Sequence, residues 1–277
     1  MLNKVIVVVV DGMRYDKGCE ALGYVQHLVE TNQAALYKVK SELPSLSRPL
    51  YEVLLTGTPA SMNGITSNQT VRLSNEKSIF HLTKENGLRN AAAAYYWVSE
   101  LYNRAPFNFI EDRIQEDMSK PIQSGLFYWD DDYPDSHLLM DAESLRRKHD
   151  PHFLYIHPMG VDVKGENYGS ESKEYREQIL KMGSLLAQLL PIWMKSGYHI
   201  LITSDHGMSE YGNHGGITDG ERDVPLFVIS PRIETGIHEE TIPQLAFAPL
   251  VSELLGIEPS DKMISYKFPG LKEAVTL

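Results

Sequence analysis

The sequence predicts an α/β fold, a mostly parallel central sheet with helices on both faces, and three observations carry that expectation. Short Val/Ile/Leu-rich runs recur along the chain, three of them end in an aspartate near a glycine, and segments with helical spacing lie between them. The first run, "KVIVVVVDGM", reaches Asp11; "HFLYIHPMGVD" reaches Asp162; "YHILITSDHG" reaches Asp205. Runs that are apolar at successive positions, rather than at alternate ones, suit strands covered on both faces. Two further strands are expected in "NAAAAYYWVS" and "DVPLFVIS".

The helices follow from spacing and end signals. "SLSRPLYEVLLTG" begins a helical pattern at Ser47 that continues through Tyr51, Val53 and Leu54. "NEKSIFHLTKENG" places Ile79, Phe80 and Leu82 on one face and closes at Gly87. "SESKEYREQILKMGSLLAQLLPIWMKSG" opens with serines able to cap, repeats Tyr175, Ile179, Met182 and Leu186, and stops at Gly197. Pro191 is expected to kink or divide it. "TIPQLAFAPLVSELLG" is expected to start as a helix at Thr241 and end at Gly256. From Leu101 to roughly Ser136 the pattern is least regular, so residues of about 101–136 are expected to form an irregular insertion, an excursion from the sheet near the active site. Asp130–Asp132 within it read as a solvated loop. No repeat or low-complexity linker interrupts the chain, and residues 1–277 are expected to form one domain.

Composition narrows the function. A chain of 277 residues that is 42% hydrophobic and 23% charged can bury a large core. With 26 basic against 37 acidic residues, a formal charge of −11 argues against binding polymeric nucleic acid or an anionic membrane. A small phosphorylated substrate would need a local device to hold it, such as metal ions. Cys19 is the one cysteine and can form no internal disulfide. The run Val5–Val10 is too short for the core of a signal peptide, and a cytoplasmic location is the expectation. Asn68-Gln69-Thr70 reads as an ordinary turn.

The chemistry is expected at the strand ends, because ligands of open α/β sheets bind beyond the carboxyl ends of the strands. Asp11, Asp162 and Asp205 would all lie there, with His206 adjacent and His214 a short loop later. Carboxylates gathered without cations raise one another's pKa, so such a cluster implies bound metal or shared protons. Mixed Asp/His ligation suits zinc or manganese better than calcium. Ser47, at a helix N-terminus, is either a nucleophile favoured by the helix dipole or simply the cap of that helix.

The set "VVVVDGM", "PSLSRPLYEVLLTG", "NGI" (Asn63–Ile65), "DVKGENYG" (Asp162–Gly169), "TSDHGM" and "GNHGG" resembles the alkaline phosphatase superfamily, in its nucleotide pyrophosphatase/phosphodiesterase branch. The resemblance extends to the helix "AFAPLVSELLGI" and leaves out the insertion. It implies two divalent ions, zinc in the first place and manganese as the alternative. Asp11, Asp205 and His206 resemble the ligands of one ion, Asp162 and His214 two ligands of the other. Ser47 stands where the family has its threonine or serine nucleophile, which touches metal and becomes phosphorylated.

Three positions depart from the family pattern. Its second-site histidine is Glu166 here, a harder oxygen donor that would shift preference toward manganese or weaken a zinc site. Its phosphate-binding asparagine, three residues after the nucleophile, is Leu50, which leaves Arg48 or the insertion to hold phosphate. "NGI" replaces the usual "HGI", and Asn63 is expected to keep a turn role. His157 could stand in for the missing histidine but reads better as a structural residue. Trp97, or less readily Tyr96 or Tyr102, could stack on a substrate base.

The function expected is a metal-dependent phosphoester hydrolase, a phosphodiesterase or nucleotide pyrophosphatase acting on a nucleotide-like molecule through a phosphoserine. The nearest alternative is a phosphomonoesterase or phosphonate hydrolase. A different class of reading is a catalytically impaired metal- or phosphate-binding protein, with Glu166 and Leu50 as the lesions. A sulfatase is disfavoured because Tyr51 occupies the arginine position of the sulfatase pattern.

Overall fold

The computed structural model describes residues 3–273. Its strands are β1 (Lys4–Val9), β2 (Ala35–Lys40), β3 (Asn90–Tyr95), β4 (Ile114–Glu116), β5 (Ser124–Tyr128), β6 (Phe153–Ile156), β7 (Tyr198–Thr203), β8 (Asp223–Ile229) and β9 (Gly236–Pro243). They form one sheet in the order β4-β5-β3-β6-β1-β7-β8-β2-β9. The run β5, β3, β6, β1, β7 is parallel throughout, while β8 is antiparallel to both neighbours and β4 antiparallel to β5.

The continuous apolar sequence of β1 has its explanation in two covered faces. Val5, Val7 and Val9 enter a core with Tyr51 and Leu54 of the helix Ser47–Thr56, Phe80 of Ile79–Glu85, and Leu254 of Phe247–Leu255. Ile6, Val8 and Val10 face the opposite core, with Leu28 of Gly23–Glu30, Leu139 of Asp135–His149, and Met182 and Trp193 of Lys173–Lys195. Successive residues of a strand point to opposite sides, so an apolar face is needed on both. Parallel registry then aligns the exits: Val9 pairs with Thr203 and Val8 with Ile156. Asp11, His157 and Asp205 consequently leave the sheet at the same end.

Four local expectations change. The helix Lys173–Lys195 runs through Pro191 undivided. Its last turn is held by Trp193, wholly buried, whose indole N–H donates to Glu143 at 3.0 Å. Thr241 and Pro243 belong to β9, not to a helix: residues 241–243 pair with Lys38–Lys40, and only after a 3₁₀ turn does the helix Phe247–Leu255 begin. Proline is tolerated there because β9 is an edge strand. The third strand stops at Tyr95, and the helix Trp97–Tyr102 takes over the aromatic end of that run. Finally, the region 101–136 contains irregular turns but returns to the sheet, where β5 pairs with β3 and β4 closes the edge. Asp130–Asp132 are exposed. No helix among the described residues is long and apolar enough to cross a membrane.

Candidate active site

Two overlapping groups of ligand-type side chains form where β1, β6 and β7 end. Asp11, Asp205 and His206 bring their ligand atoms within 4.8 Å of one another, and so do Asp162, His206 and His214. His206 Nε2 lies 3.3 Å from Asp11 Oδ1 and 3.4 Å from Asp205 Oδ2. His214 Nε2 lies 3.9 Å from Asp162 Oδ1 and 3.1 Å from Glu166 Oε1. The two imidazoles stack with centroids 4.0 Å apart. Asp162 and Glu166 lie four positions apart, about one turn of the helix Gly160–Tyr168, which sends both toward His214.

Gly12 makes this closeness possible. Its φ is +69°, and a Cβ at that position would lie 2.5 Å from Asp162 Oδ1. Its amide faces Asp205 Oδ1 at 3.3 Å, and its carbonyl accepts from the Tyr175 hydroxyl at 2.6 Å. The Asp205 carbonyl accepts from the Ser41 hydroxyl and the Gln244 amide, which fixes the loop after β7.

The donor set fits divalent cations. Three buried carboxylate oxygens, Asp11 Oδ1, Asp162 Oδ1 and Asp205 Oδ2, have no hydrogen-bond partner, a costly state for an ionised oxygen unless a cation faces it. The histidines point the same way. A carbonyl oxygen can only accept, so His206 Nδ1, 2.8 Å from Gly207 O, and His214 Nδ1, 3.1 Å from Ser45 O, both carry protons. Neutral His206 therefore turns its Nε2 lone pair toward the oxygens of Asp11 and Asp205, a repulsive arrangement that a bound ion converts into shared ligation. His214, whose Nδ1 proton goes to Ser45, can donate from Nε2 to Glu166 only as the imidazolium. Burial and the proximity of His214 push the His206 pKa down to about 3, so His206 cannot relieve the repulsion by protonating. His214 is raised despite its burial, chiefly by the hydrogen bond to Glu166. Burial, then Asp11, pushes Asp205 and Asp162 well above the usual carboxylate range. Burial also opposes ionisation of Asp11, but His157, His206 and Tyr51 together bring it down to about 2.

Ser47 is the first helical residue, and the cap position is Leu46, with no side-chain cap hydrogen bond. The Ser47 hydroxyl instead donates to His206 Nε2 at 3.0 Å. The cap reading is not met, since this hydroxyl faces the ligand cluster rather than capping its helix. The helix end is less rich in free N–H groups than its position suggests, since Pro49 has none and the Arg48 N–H goes to Asn68 Oδ1 at 3.1 Å.

The other two candidate residues are placed differently. The Arg48 guanidinium is buried, paired with Glu100 at 2.8 Å, and stacked 4.5 Å from the centre of the Trp97 ring. Its charge is therefore matched inside the fold, and neither Arg48 nor Trp97 joins the cluster. Leu50 is wholly buried. Asn63 holds a turn, its side chain bonding the Thr58 carbonyl and the Ile65 amide. Beside Glu166 a groove of about 520 Å³ is lined by Tyr95, Trp129, Asp130–Asp132 and Asn167.

Two buried residues touching the cluster have no place in the sequence argument as partners of Asp11. Both the Tyr51 hydroxyl and His157 Nε2 donate to Asp11 Oδ2, the latter at 3.0 Å. Tyr51 was findable, since it lies four residues after Ser47 on the same helical face. His157 was ambiguous because alternation beyond the last paired residue of β6 leaves its direction open.

The family model described as type I phosphodiesterase / nucleotide pyrophosphatase matches residues 5–221. Human GPI ethanolamine phosphate transferase 2, catalytic subunit, is 23% identical over 97% of this chain and 28% of its own length. GPI ethanolamine phosphate transferase 2 of Candida albicans is 24% identical over 83% of this chain and 26% of its own. The chain thus spans about a quarter of the length of these relatives. Among solved structures, murine ectonucleotide pyrophosphatase / phosphodiesterase 5 superimposes with a TM-score of 0.73 at 14% identity, covering 93% of this chain and 96% of that one. A 2-O GAG sulfatase superimposes at 0.65 with 12% identity, covering 95% and 72%.

Proposed function

The chain belongs to the type I phosphodiesterase / nucleotide pyrophosphatase family, with an alkaline phosphatase-like fold, and we propose that it is a two-metal phosphoryl-transfer enzyme whose nucleophile is Ser47. The observation that carries this reading is the Ser47 hydroxyl, 3.0 Å from His206 Nε2 and beside three buried carboxylates with unpartnered oxygens. Asp11, Asp205 and His206 would hold one divalent ion, and Asp162, His214 and Glu166 the second, with zinc or manganese as the metals suited to this donor set. Bound there, the ions would supply Lewis acidity to the serine hydroxyl and to the phosphate oxygens. Ser47 Oγ attacks phosphorus and gives its proton to solvent, while the bond to the leaving oxygen breaks with its electron pair remaining on that oxygen. An incoming hydroxyl then attacks the phosphoserine and gives its proton to solvent, while the bond between phosphorus and Ser47 Oγ breaks with its electron pair on Oγ, which takes a proton back from solvent. The helix beginning at Ser47 would favour the phosphate through its dipole rather than through free N–H groups, since Pro49 has none and the Arg48 N–H is taken by Asn68.

Water as the incoming group makes the enzyme a phosphodiesterase or pyrophosphatase. An inactive variant of murine ectonucleotide pyrophosphatase / phosphodiesterase 5 in complex with AMP superimposes with a TM-score of 0.74, which supports a nucleotide-like substrate for this reading. An alcohol as the incoming group makes it a transferase, and the names of the curated relatives favour this second reading. The sites are the same in both, and the acceptor separates them.

The test uses protein reconstituted with Zn²⁺ or Mn²⁺, bis-p-nitrophenyl phosphate, p-nitrophenyl phosphate and a phenyl phosphonate ester, with and without an added alcohol acceptor. Release of nitrophenol with formation of the acceptor's phosphoester identifies transfer, and release with formation of free phosphate product identifies hydrolysis. Ser47→Ala should abolish turnover and leave metal content intact. Turnover of no ester with both metals bound, or full activity in Ser47→Ala, refutes the proposal.

A further inference from the structure

We propose that Tyr51 and His157 are positioning residues that restrict Asp11 to ligation through a single oxygen and thereby set metal affinity at the position formed by Asp11, Asp205 and His206. The inference rests on reading this cluster as a metal site. A carboxylate offers two oxygens, and a metal can take either or both. Asp11 has no such freedom. Its Oδ2 accepts from both the Tyr51 hydroxyl and His157 Nε2, while Oδ1 has no hydrogen bond and lies 3.3 Å from His206 Nε2. Asp11, Tyr51 and His157 are all wholly buried, so water cannot replace either donor.

Both donors are themselves fixed. The His157 amide donates to the Ala93 carbonyl at 2.9 Å, and its carbonyl accepts from the Tyr128 hydroxyl at 2.8 Å. The rings of Tyr51 and His157 meet edge-on with centroids 4.5 Å apart. Tyr51 also lies one helical turn from Ser47, so a single rigid helix carries both the nucleophile and a clamp on Asp11. The other carboxylates are held more loosely. Asp205 Oδ1 receives the Gly12 amide at 3.3 Å and the Ser204 hydroxyl at 3.4 Å, and Asp162 Oδ1 receives none. Hydrogen bonds to the back of a ligand typically contribute about 10–100-fold to metal affinity by orienting it before the ion arrives. Here that contribution falls on one of two metal positions, since Tyr51 and His157 make no hydrogen bond to Asp162, Glu166 or His214.

The experiment titrates Zn²⁺ and Mn²⁺ into the full chain against a chromophoric chelator, for wild type, Tyr51→Phe, His157→Leu and His157→Gln. Thermal unfolding of each metal-free protein is measured in parallel. Wild type should bind two equivalents. Tyr51→Phe and His157→Leu should weaken one equivalent by about 10–100-fold and leave the other within about twofold. His157→Gln, whose amide can still donate, should recover part of the loss. Tyr51→Phe removes one oxygen atom and carries the test if His157→Leu fails to fold. Equal weakening of both equivalents, or no weakening in Tyr51→Phe, would overturn the inference while leaving the metal site intact. A wild-type chain that binds neither metal would overturn the proposed function and this inference together.

Discussion

Gly12→Ala is the smallest change that should take the site apart. An alanine at φ +69° pays the left-handed cost, about 1–2 kcal/mol. Its methyl carbon would lie 2.5 Å from Asp162 Oδ1 and 2.9 Å from both Asp162 Cα and Cβ. Rotating the Asp162 side chain relieves the first contact but not the second, which is to main chain. Because carbon atoms settle at about 3.5–4.0 Å, the start of the helix Gly160–Tyr168 must withdraw by roughly 0.6–1 Å. Metal–ligand distances tolerate only about 0.2 Å, so Asp162 is lost as a ligand in its present orientation. Strain and displacement together should cost about 2–4 kcal/mol of stability, and misplacement on the order of 1 Å should cost about 100-fold in turnover. Urea unfolding of the metal-free protein measures the first, and chelator-competed titration with ester turnover measures the second. A variant that unfolds at the wild-type urea concentration and binds both ions with wild-type affinity would refute this account of Gly12.

Glu166→His should shift the ratio of zinc to manganese affinity toward zinc by about tenfold, because imidazole is the softer donor; an unchanged ratio in competition titrations would remove Glu166 from the ligand set. Glu52 gives a pH prediction away from the metals. Burial raises its pKa to about 7, against the hydrogen bonds from Ser74 and Tyr102 that favour its charged form. A carboxyl whose folded pKa is raised contributes stability that is complete below its unfolded value of about 4.5 and is lost as pH rises through about 7. The loss should be on the order of 3 kcal/mol, and Glu52→Gln should abolish that pH dependence. Denaturant midpoints from pH 4 to 8 check this, and parallel profiles for wild type and variant would contradict it.

Much of the fold was legible because strands buried on both faces leave an unmistakable trace. Runs such as "KVIVVVV" and "HILIT" admit few other readings, and their ends mark where ligands gather. Thr241 was misread because β-branched residues beside a proline suit an edge strand as well as a helix start, and only pairing with β2 decides between them. The edge strand β4 and its neighbour β5 were hidden for a related reason. With three and five residues they carry too little alternation to register; β5 acquires its strand geometry from β3, and β4 from β5.

The ligand-type residues Asp11, Asp162, Glu166, Asp205, His206 and His214 could be picked out in one dimension, because all but His214 sit at a strand end or one helical turn from another, and His214 follows His206 by a short loop. Arg48 could not be judged that way. Beside a nucleophile it reads as an anion binder, yet its charge is spent on Glu100, a residue 52 positions later whose approach no local pattern announces. The sequence by itself determined which segments become strands, which side chains end them, and hence where chemistry concentrates, since periodicity and burial are local properties. Only the tertiary structure decided which oxygen of Asp11 is free, that His206 rather than the helix holds the Ser47 hydroxyl, and that Gly12 leaves room for Asp162. Those outcomes depend on distances of a few ångströms between residues far apart in the chain.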